Sequence, residues 1–470
     1  MHPAPTGSLT SAHWRPGNST RITATTIGGA LRAAAALVPE RPALICEDRL
    51  WCYRDLLAEA ADGARALLAT FDPGDVVAVW AENCPQWVAL EFAAGLAGLT
   101  LVPLQPATSA DEVAYVLAHT GARGLFLGTD VAEPGGASTV RSGPYRLPLL
   151  RCVLPLRDWD AVRAVGSLSG PDQAATLPEV AADRPAQILY TSGTTGRPKG
   201  VILTHRALTN NARLAATTLG VRDGDTVVNP LSLSHVGGGG LMALGLAQLA
   251  GTHVLLPRLD PAPHLALIEQ HRGTLLCATP RMLAGMLGDS SLPKRDLGAL
   301  RAVVSGGTRV SADLARDAEA LLGVPVLSAL TQTESAGLLT ATTPSDSLTD
   351  RLGGVGRPLP GTELKIVERR SGATAACGTV GEIWVRGYQV MLGYLDNPRS
   401  TAMAIDRDGW LHTGDLGAMD ARGYIRLAGR LRRLPRSASE PLDLADPLVE
   451  LLELRVPKQT PRSKALEDID

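Results

Sequence analysis

Aromatic side chains are scarce in this sequence, at 4% of residues with only three Phe. A core must then rest on Ala, Leu and Val, which a 45% hydrophobic content can supply. Net charge is nearly absent, at -2 from 45 Lys and Arg against 47 Asp and Glu. No global basic field exists to hold a phosphate backbone, so no nucleic-acid partner is expected and any anion must be bound locally. Paired cysteines are also missing. The six, at positions 46, 52, 84, 152, 277 and 377, are scattered and contain no Cys-x-x-Cys. That indicates neither a zinc site nor a disulfide frame, and it fits a reducing compartment. Long apolar runs are lacking. The longest candidate, Val236–Leu256, is broken by Gly237–Gly240 and Gly251, so no membrane span is expected. Residues 1–25 lack the apolar run of a signal peptide, which makes a cytoplasmic protein the expectation.

What is plentiful is glycine (49) and proline (33), hence loops, in a chain of 470 residues that implies two or three packed units. Residues 1–25 read as a flexible N-terminus. From residue 26 helical and strand patterns alternate: a helix over Ile27–Val38, short strands at Ala43–Ile45 and Leu50–Tyr53, a helix over Arg54–Thr70, a strand at Val76–Trp80, a helix over Gln86–Ala97 and a strand at Leu101–Leu104. Such alternation predicts an α/β fold with a parallel sheet covered by helices. Pro134–Gly143 reads as a loop. A strand at Ala186–Tyr190 reopens the alternation after a weakly patterned stretch. From residue 351 to 428 short strands are separated by Gly, Pro and Asp, which reads as a small β-rich unit. The tail after Arg433 begins with a Pro/Ser/Asp-rich linker, and Leu448–Leu454 reads as a turn or two of helix.

The sharpest signal is ILYTSGTTGRPKGV, Ile188–Val201. All six residues Thr191, Ser192, Gly193, Thr194, Thr195 and Gly196 are Thr, Ser or Gly, and Lys199 follows. Glycines let backbone N–H groups turn inward, hydroxyls donate further hydrogen bonds, and the lysine adds charge, so the string can hold a polyphosphate without a basic surface. It is not a Walker loop, because no Gly-Lys-Ser/Thr follows the glycines. The string resembles the signature loop of the adenylate-forming superfamily of acyl-CoA and aryl-CoA synthetases, luciferases and peptide-synthetase adenylation domains. The likeness continues in order across roughly residues 26–433.

The resemblance implies a large N-terminal domain of two doubly wound αβ subdomains, about 26–185 and 186–350, and a small β-barrel-like subdomain at 351–428. It also implies roles. Thr331–Glu334 (TQTE) resembles the family's Tyr-Gly-x-Thr-Glu element, with Glu334 and Thr194 as magnesium contacts and Thr333 on a phosphate; Mg²⁺ takes oxygen ligands and shares them with phosphates. Leu330 and Thr331 stand where the family has an aromatic residue and Gly, so adenine loses its stacking partner or packs on Leu330. Asp415, in GWLHTGDLG, resembles the carboxylate that accepts from both ribose hydroxyls, and Arg430 the arginine that contacts ribose or α-phosphate. Ser305, Gly306, Gly307 and Thr308 (SGGT) resemble the strand end beside adenine and the acyl carboxylate, and His235 in SHVGGGG faces the acyl pocket. Glycines 237–240 would leave room for a bulky acyl group. The stretch Gly381–Tyr394 matches a family β element that serves the fold.

The implied chemistry activates a carboxylic acid with Mg-ATP as an acyl-adenylate, then transfers it to the thiol of CoA or of a carrier protein's phosphopantetheine. The sequence leaves two alternatives open: an adenylate-only or amide-forming enzyme, and a non-catalytic nucleotide-binding relative. The segment 429–470 reads as the hinge and a shortened remnant of the family's C-terminal domain, which a partner could supply. Within it Lys464 is either the family's catalytic lysine or a lysine of a solvated tail. No Asp in Leu231–Gly240 is placed to grip an α-amino group, so a fatty or aromatic acid is expected over an amino acid.

Overall fold

The computed structural model describes residues 8–17, 19–129, 140, 144–167, 177–191, 197–258, 260–306 and 310–431. Most of the loop 134–143, residues 192–196 and 307–309, and everything after Leu431, including Leu448–Leu454 and Lys464, lie outside them.

The helical and strand periods place elements close to where the sequence puts them. Val76–Trp80 is a strand, Pro85–Ala97 a helix and Thr100–Leu104 a strand. The helix is buried from Trp87 onward and stops at Gly98, whose φ of 71° is left-handed. A core poor in aromatics is closed by near contact of small residues. A Cβ on Gly28 would lie 2.6 Å from Leu96, and one on Gly95 would lie 2.9 Å from the Ile27 Cβ, so helix Ile27–Leu37 crosses Pro85–Ala97 almost backbone to backbone.

Among the described residues the strands form three sheets. The seven-stranded sheet runs in the order Gly393–Tyr394, Lys199–Thr204, Pro185–Thr191, Thr100–Leu104, Val76–Trp80, Gly124–Leu127, Cys152–Pro155. It is parallel from Pro185–Thr191 onward. The nine-stranded sheet holds parallel strands from Pro42–Cys46 through Thr252–Leu255, Thr226–Asn229, Leu275–Ala278 and Ala302–Ser305 to Val326–Gln332, with antiparallel strands at both ends. The five-stranded sheet is antiparallel and linear: His13–Trp14, Thr362–Val367, Gly381–Gly387, Leu411–Met419, Ile425–Arg430.

Sheet membership departs from the sequential division at 185/186. Pro185–Thr191 and Lys199–Thr204 join the first sheet, while Pro42–Cys46 and Arg49–Cys52 cross to the second, where Leu44 pairs with His253. The expectation of a flexible N-terminus is corrected at His13 and Trp14. His13–Trp14 pairs with Leu364 and Lys365, Trp14 is buried, and the His13 Nε2 lies 2.8 Å from Glu363. A two-residue strand carries no readable period, so only its distant partner reveals it. No described helix is long and apolar enough to cross a membrane.

Candidate active site

The Ser/Thr/Gly loop joins two antiparallel strands. Thr191 is the last residue of one and pairs with Lys199, the first of the next. Thr204 then caps helix His205–Thr218 through its hydroxyl. Ser192, Gly193, Thr194, Thr195 and Gly196 lie outside the described residues, but both loop ends are tied to one helix, Ala110–Thr120. His119 Nδ1 is 2.7 Å from the Tyr190 hydroxyl, and Arg197 lies over the Tyr115 ring at 5.6 Å.

The TQTE element closes strand Val326–Gln332. Its register shifts between Leu330 and Thr331, and both of these residues, with Ser328 and Ala329 before them, line one cavity. That cavity, about 470 Å³, is also lined by Ser305, Asp415 and Arg430. Asp415 is only 8% exposed and pairs across the sheet with Arg430, whose Nε stands 3.6 Å from its carboxylate. Burial raises the Asp415 pKa above the ordinary aspartate range; Arg430 opposes that, and Glu334 and Glu382 add to it. The Arg430 side chain is 70% exposed, so water screens the pair and it adds little stability. The two residues instead present a carboxylate and a cation to the cavity. The Ser305 hydroxyl is fully buried on its wall and has no hydrogen-bond partner among the described residues.

A second cavity of about 520 Å³ lies beyond the TQTE turn, and Thr191, Thr333, Ser234 and His235 border it. His235 and Ser305, read together from the sequence as acyl-pocket residues, therefore line different cavities. His235 is exposed at the mouth, and partial desolvation by the surrounding walls holds its pKa below the ordinary histidine value. Gly306 is not forced by the fold, since a Cβ there would meet only the Ala329 carbonyl at 3.6 Å; Gly307 and Thr308 lie outside the described residues.

Of glycines 237–240, expected to leave room for an acyl group, Gly238 and Gly239 open none, whereas a Cβ on Gly237 or Gly240 would meet nothing closer than 3.6 Å. They lie in a π-helical stretch, Val236–Ala243. A Cβ on Gly238 would sit 2.2 Å from the Ser232 carbonyl oxygen, and one on Gly239 2.6 Å from that of Leu233. The volume the missing side chains vacate is filled by the chain's own backbone.

Glu334 occupies a short 3-10 turn, Thr333–Ser335, that ends with Ala336 at φ 56°. Its carboxylate accepts a hydrogen bond from the Tyr394 hydroxyl at 2.8 Å, and its carbonyl accepts from the Met391 N–H. The Lys199 Nζ lies 5.0 Å from the centre of the same Tyr394 ring. Gln332 donates to the Thr413 carbonyl, which fastens TQTE to the strand carrying Asp415. Thus Lys199, Glu334 and Asp415, far apart in sequence, share one framework. Tyr394 and the Tyr115–His119–Tyr190 cluster, which touch these candidate residues, were not singled out from the sequence, because no spacing links a lone tyrosine to partners in other elements.

Comparison with known proteins identifies the family. Residues 31–395 match the AMP-binding enzyme family. The chain is 35% identical over 424 residues to 3-[(3aS,4S,7aS)-7a-methyl-1,5-dioxo-octahydro-1H-inden-4-yl]propanoyl:CoA ligase of Mycobacterium tuberculosis (strain ATCC 25618 / H37Rv), covering 87% of this chain and 79% of that protein. It is 30% identical over 469 residues to the mitochondrial medium-chain acyl-CoA ligase ACSF2 of Macaca fascicularis, covering 92% and 74% respectively. Among solved structures, the inhibitor-bound N-terminal domain of FACL13 from Mycobacterium tuberculosis superposes with a TM-score of 0.79 at 27% identity, covering 87% of this chain and all of that one. With the family model, these relatives and the fold in agreement, the chain belongs to the AMP-binding enzyme family, on its acyl-CoA synthetase side.

Proposed function

We propose that this chain activates a carboxylic acid with ATP as an acyl-adenylate and passes the acyl group to the thiol of CoA, with a fatty or other apolar acid as substrate. The observation that carries the reading is the convergence of Lys199, Glu334 and Asp415 around the TQTE turn.

In this reading Asp415 accepts from the ribose hydroxyls, a task suited to a carboxylate because it only accepts. Arg430 faces the ribose and α-phosphate. The Thr191–Gly196 loop and Lys199 hold the β- and γ-phosphates, and Thr333 reaches a phosphate from the opposite wall. The acid enters on the His235 side. Its carboxylate oxygen attacks the α-phosphorus, the bond from that phosphorus to the bridging oxygen breaks, and pyrophosphate leaves with its charge met by Lys199. The CoA sulfur then attacks the acyl carbon and AMP departs. The described residues contain no cluster of three or more His, Cys, Asp or Glu, and Glu334 offers a single hard carboxylate. That donor set fits Mg²⁺, which keeps waters and shares phosphate oxygens, and not a metal caged by protein. Glu334 would hold it, and the ion would neutralise polyphosphate charge. A carrier-protein thiol is the alternative acceptor.

The test is pyrophosphate release from Mg-ATP with a panel of aliphatic and aryl acids, first without CoA. Release with one acid class, lost in Asp415→Ala, is expected; ATP binding without release on any acid would overturn the enzymatic reading. Because burial raises the Asp415 pKa and ribose needs the ionised form, nucleotide affinity should fall with acidification at a pH above the ordinary aspartate range. The same titration in Asp415→Asn should be flat.

A further inference from the structure

We propose that Tyr394 is a positioning residue for the metal and polyphosphate subsite, holding the Glu334 carboxylate at its hydroxyl and the Lys199 ammonium at its ring face. The proposal rests on the reading of Glu334 as the magnesium carboxylate.

Three observations converge. The hydroxyl of Tyr394 donates to Glu334 Oε1 at 2.8 Å, and the Lys199 Nζ lies 5.0 Å from the ring centre. The backbone beneath the ring is fixed. Gly393 and Tyr394 pair with Ile202 and Val201, on the strand that begins at Lys199, and the Tyr394 N–H donates to the Thr401 hydroxyl at 2.9 Å. Gly393 has φ 151°, and a Cβ there would lie 2.8 Å from Thr401, so the approach to Tyr394 has one conformation. Finally, the side chain is 9% exposed, which leaves it few other rotamers.

Tyrosine is the residue type that can meet a cation and an anion at once without a charge of its own. Its ring face carries negative potential and attracts an ammonium, while its hydroxyl donates to a carboxylate. Held this way, the Glu334 Oε1 lone pairs are partly committed and its other oxygen is oriented, so metal binding costs less rearrangement. Lys199 is steered from the same ring, which couples the phosphate cation to the metal carboxylate.

The experiment compares Tyr394→Phe, Tyr394→Leu and Glu334→Gln with the parent chain. Mn²⁺ binding in the presence of a non-hydrolysable ATP analogue is read by electron paramagnetic resonance, and the Mg²⁺ and ATP dependence of pyrophosphate release is read alongside. Tyr394→Phe keeps the ring and should weaken Mn²⁺ by about 10–100-fold, the usual cost of removing a hydrogen-bond partner of a metal ligand. The melting temperature and the KM for ATP should not move, and excess Mg²⁺ should restore the rate. Tyr394→Leu should add a rise in the KM for ATP, because Lys199 loses its ring. Unchanged Mn²⁺ affinity in Tyr394→Phe, with Glu334→Gln clearly impaired, overturns the role of Tyr394 alone. Unchanged affinity in Glu334→Gln overturns the reading of Glu334, and this proposal falls with it. A Tyr394→Phe defect that tracks a lowered melting temperature and resists excess Mg²⁺ makes the residue structural and also overturns it.

Discussion

The hairpin Pro185–Thr204 and the segment Val236–Ala243 both carry small-residue runs and both border the 520 Å³ cavity, yet they spend that smallness differently. In the hairpin, paired strands and the Tyr115–His119–Tyr190 cluster hold the two ends, and Lys199 meets the ring that also holds Glu334. In the second segment the glycines admit the carbonyls of Ser232 and Leu233, so the smallness is consumed inside the protein. Glycine density alone does not separate a ligand loop from a packing device. The flanks do: hydroxyls and a lysine between strands in one case, an apolar helical run in the other.

The contrast can be broken by mutation. The largest effect is expected at Lys199→Ala, which should lower the rate of pyrophosphate release by about 10²–10³ while leaving the melting temperature near that of the parent. An equal loss of stability would erase the distinction between the regions. Next, Gly238→Ala forces a Cβ against the Ser232 carbonyl oxygen, and urea unfolding should show a loss of roughly 2–3 kcal/mol. Gly240→Ala is the internal control. Its Cβ would meet nothing closer than 3.6 Å, so it should stay within about 0.5 kcal/mol.

A third measurement probes what lies behind the glycines. Glu91 is buried, accepts from Gln187 at 2.8 Å, and has its other oxygen 3.7 Å from where a Gly239 Cβ would stand. Desolvation pushes its pKa up to about 7, with Gln187 opposing. The folded state therefore binds the proton more tightly than the unfolded one, and stability falls as pH rises from the ordinary glutamate range through about 7. Glu91→Gln should remove that loss, gaining roughly 1–3 kcal/mol more at pH 8 than at pH 5 relative to the parent. A pH-independent difference would mean the carboxyl does not titrate there. The smallest effect is expected at Leu330→Phe. It puts an aromatic face on the wall of the 470 Å³ cavity, the proposed nucleotide site, and should tighten ATP by about 2–10-fold in calorimetry, as a stacking gain of about 0.5–1.5 kcal/mol implies.

Much of the site was legible because its chemistry is local. A run of Thr, Ser and Gly before a lysine points to a task within a few residues, while the carboxylates in TQTE and HTGD were picked out by their resemblance to family elements. The alternating periods placed Val76–Trp80 and Pro85–Ala97 almost to the residue, since burial of one face repeats at 2 or 3.6. Tyr394 was not legible. Its hydroxyl serves a residue sixty positions earlier and its ring one still farther away, and nothing in GEIWVRGYQVMLGY records that.

By itself, then, the sequence determined the elements and offered the candidate site groups, because propensity, periodicity and side-chain chemistry act over a few bonds. The tertiary structure decided which strand joined which sheet, that Ser305 and His235 line separate cavities, that the 238–239 glycines are filled by backbone, and that one tyrosine spans a cation and a carboxylate. Those outcomes are contacts between distant segments, and their free energy exists only once the segments have packed.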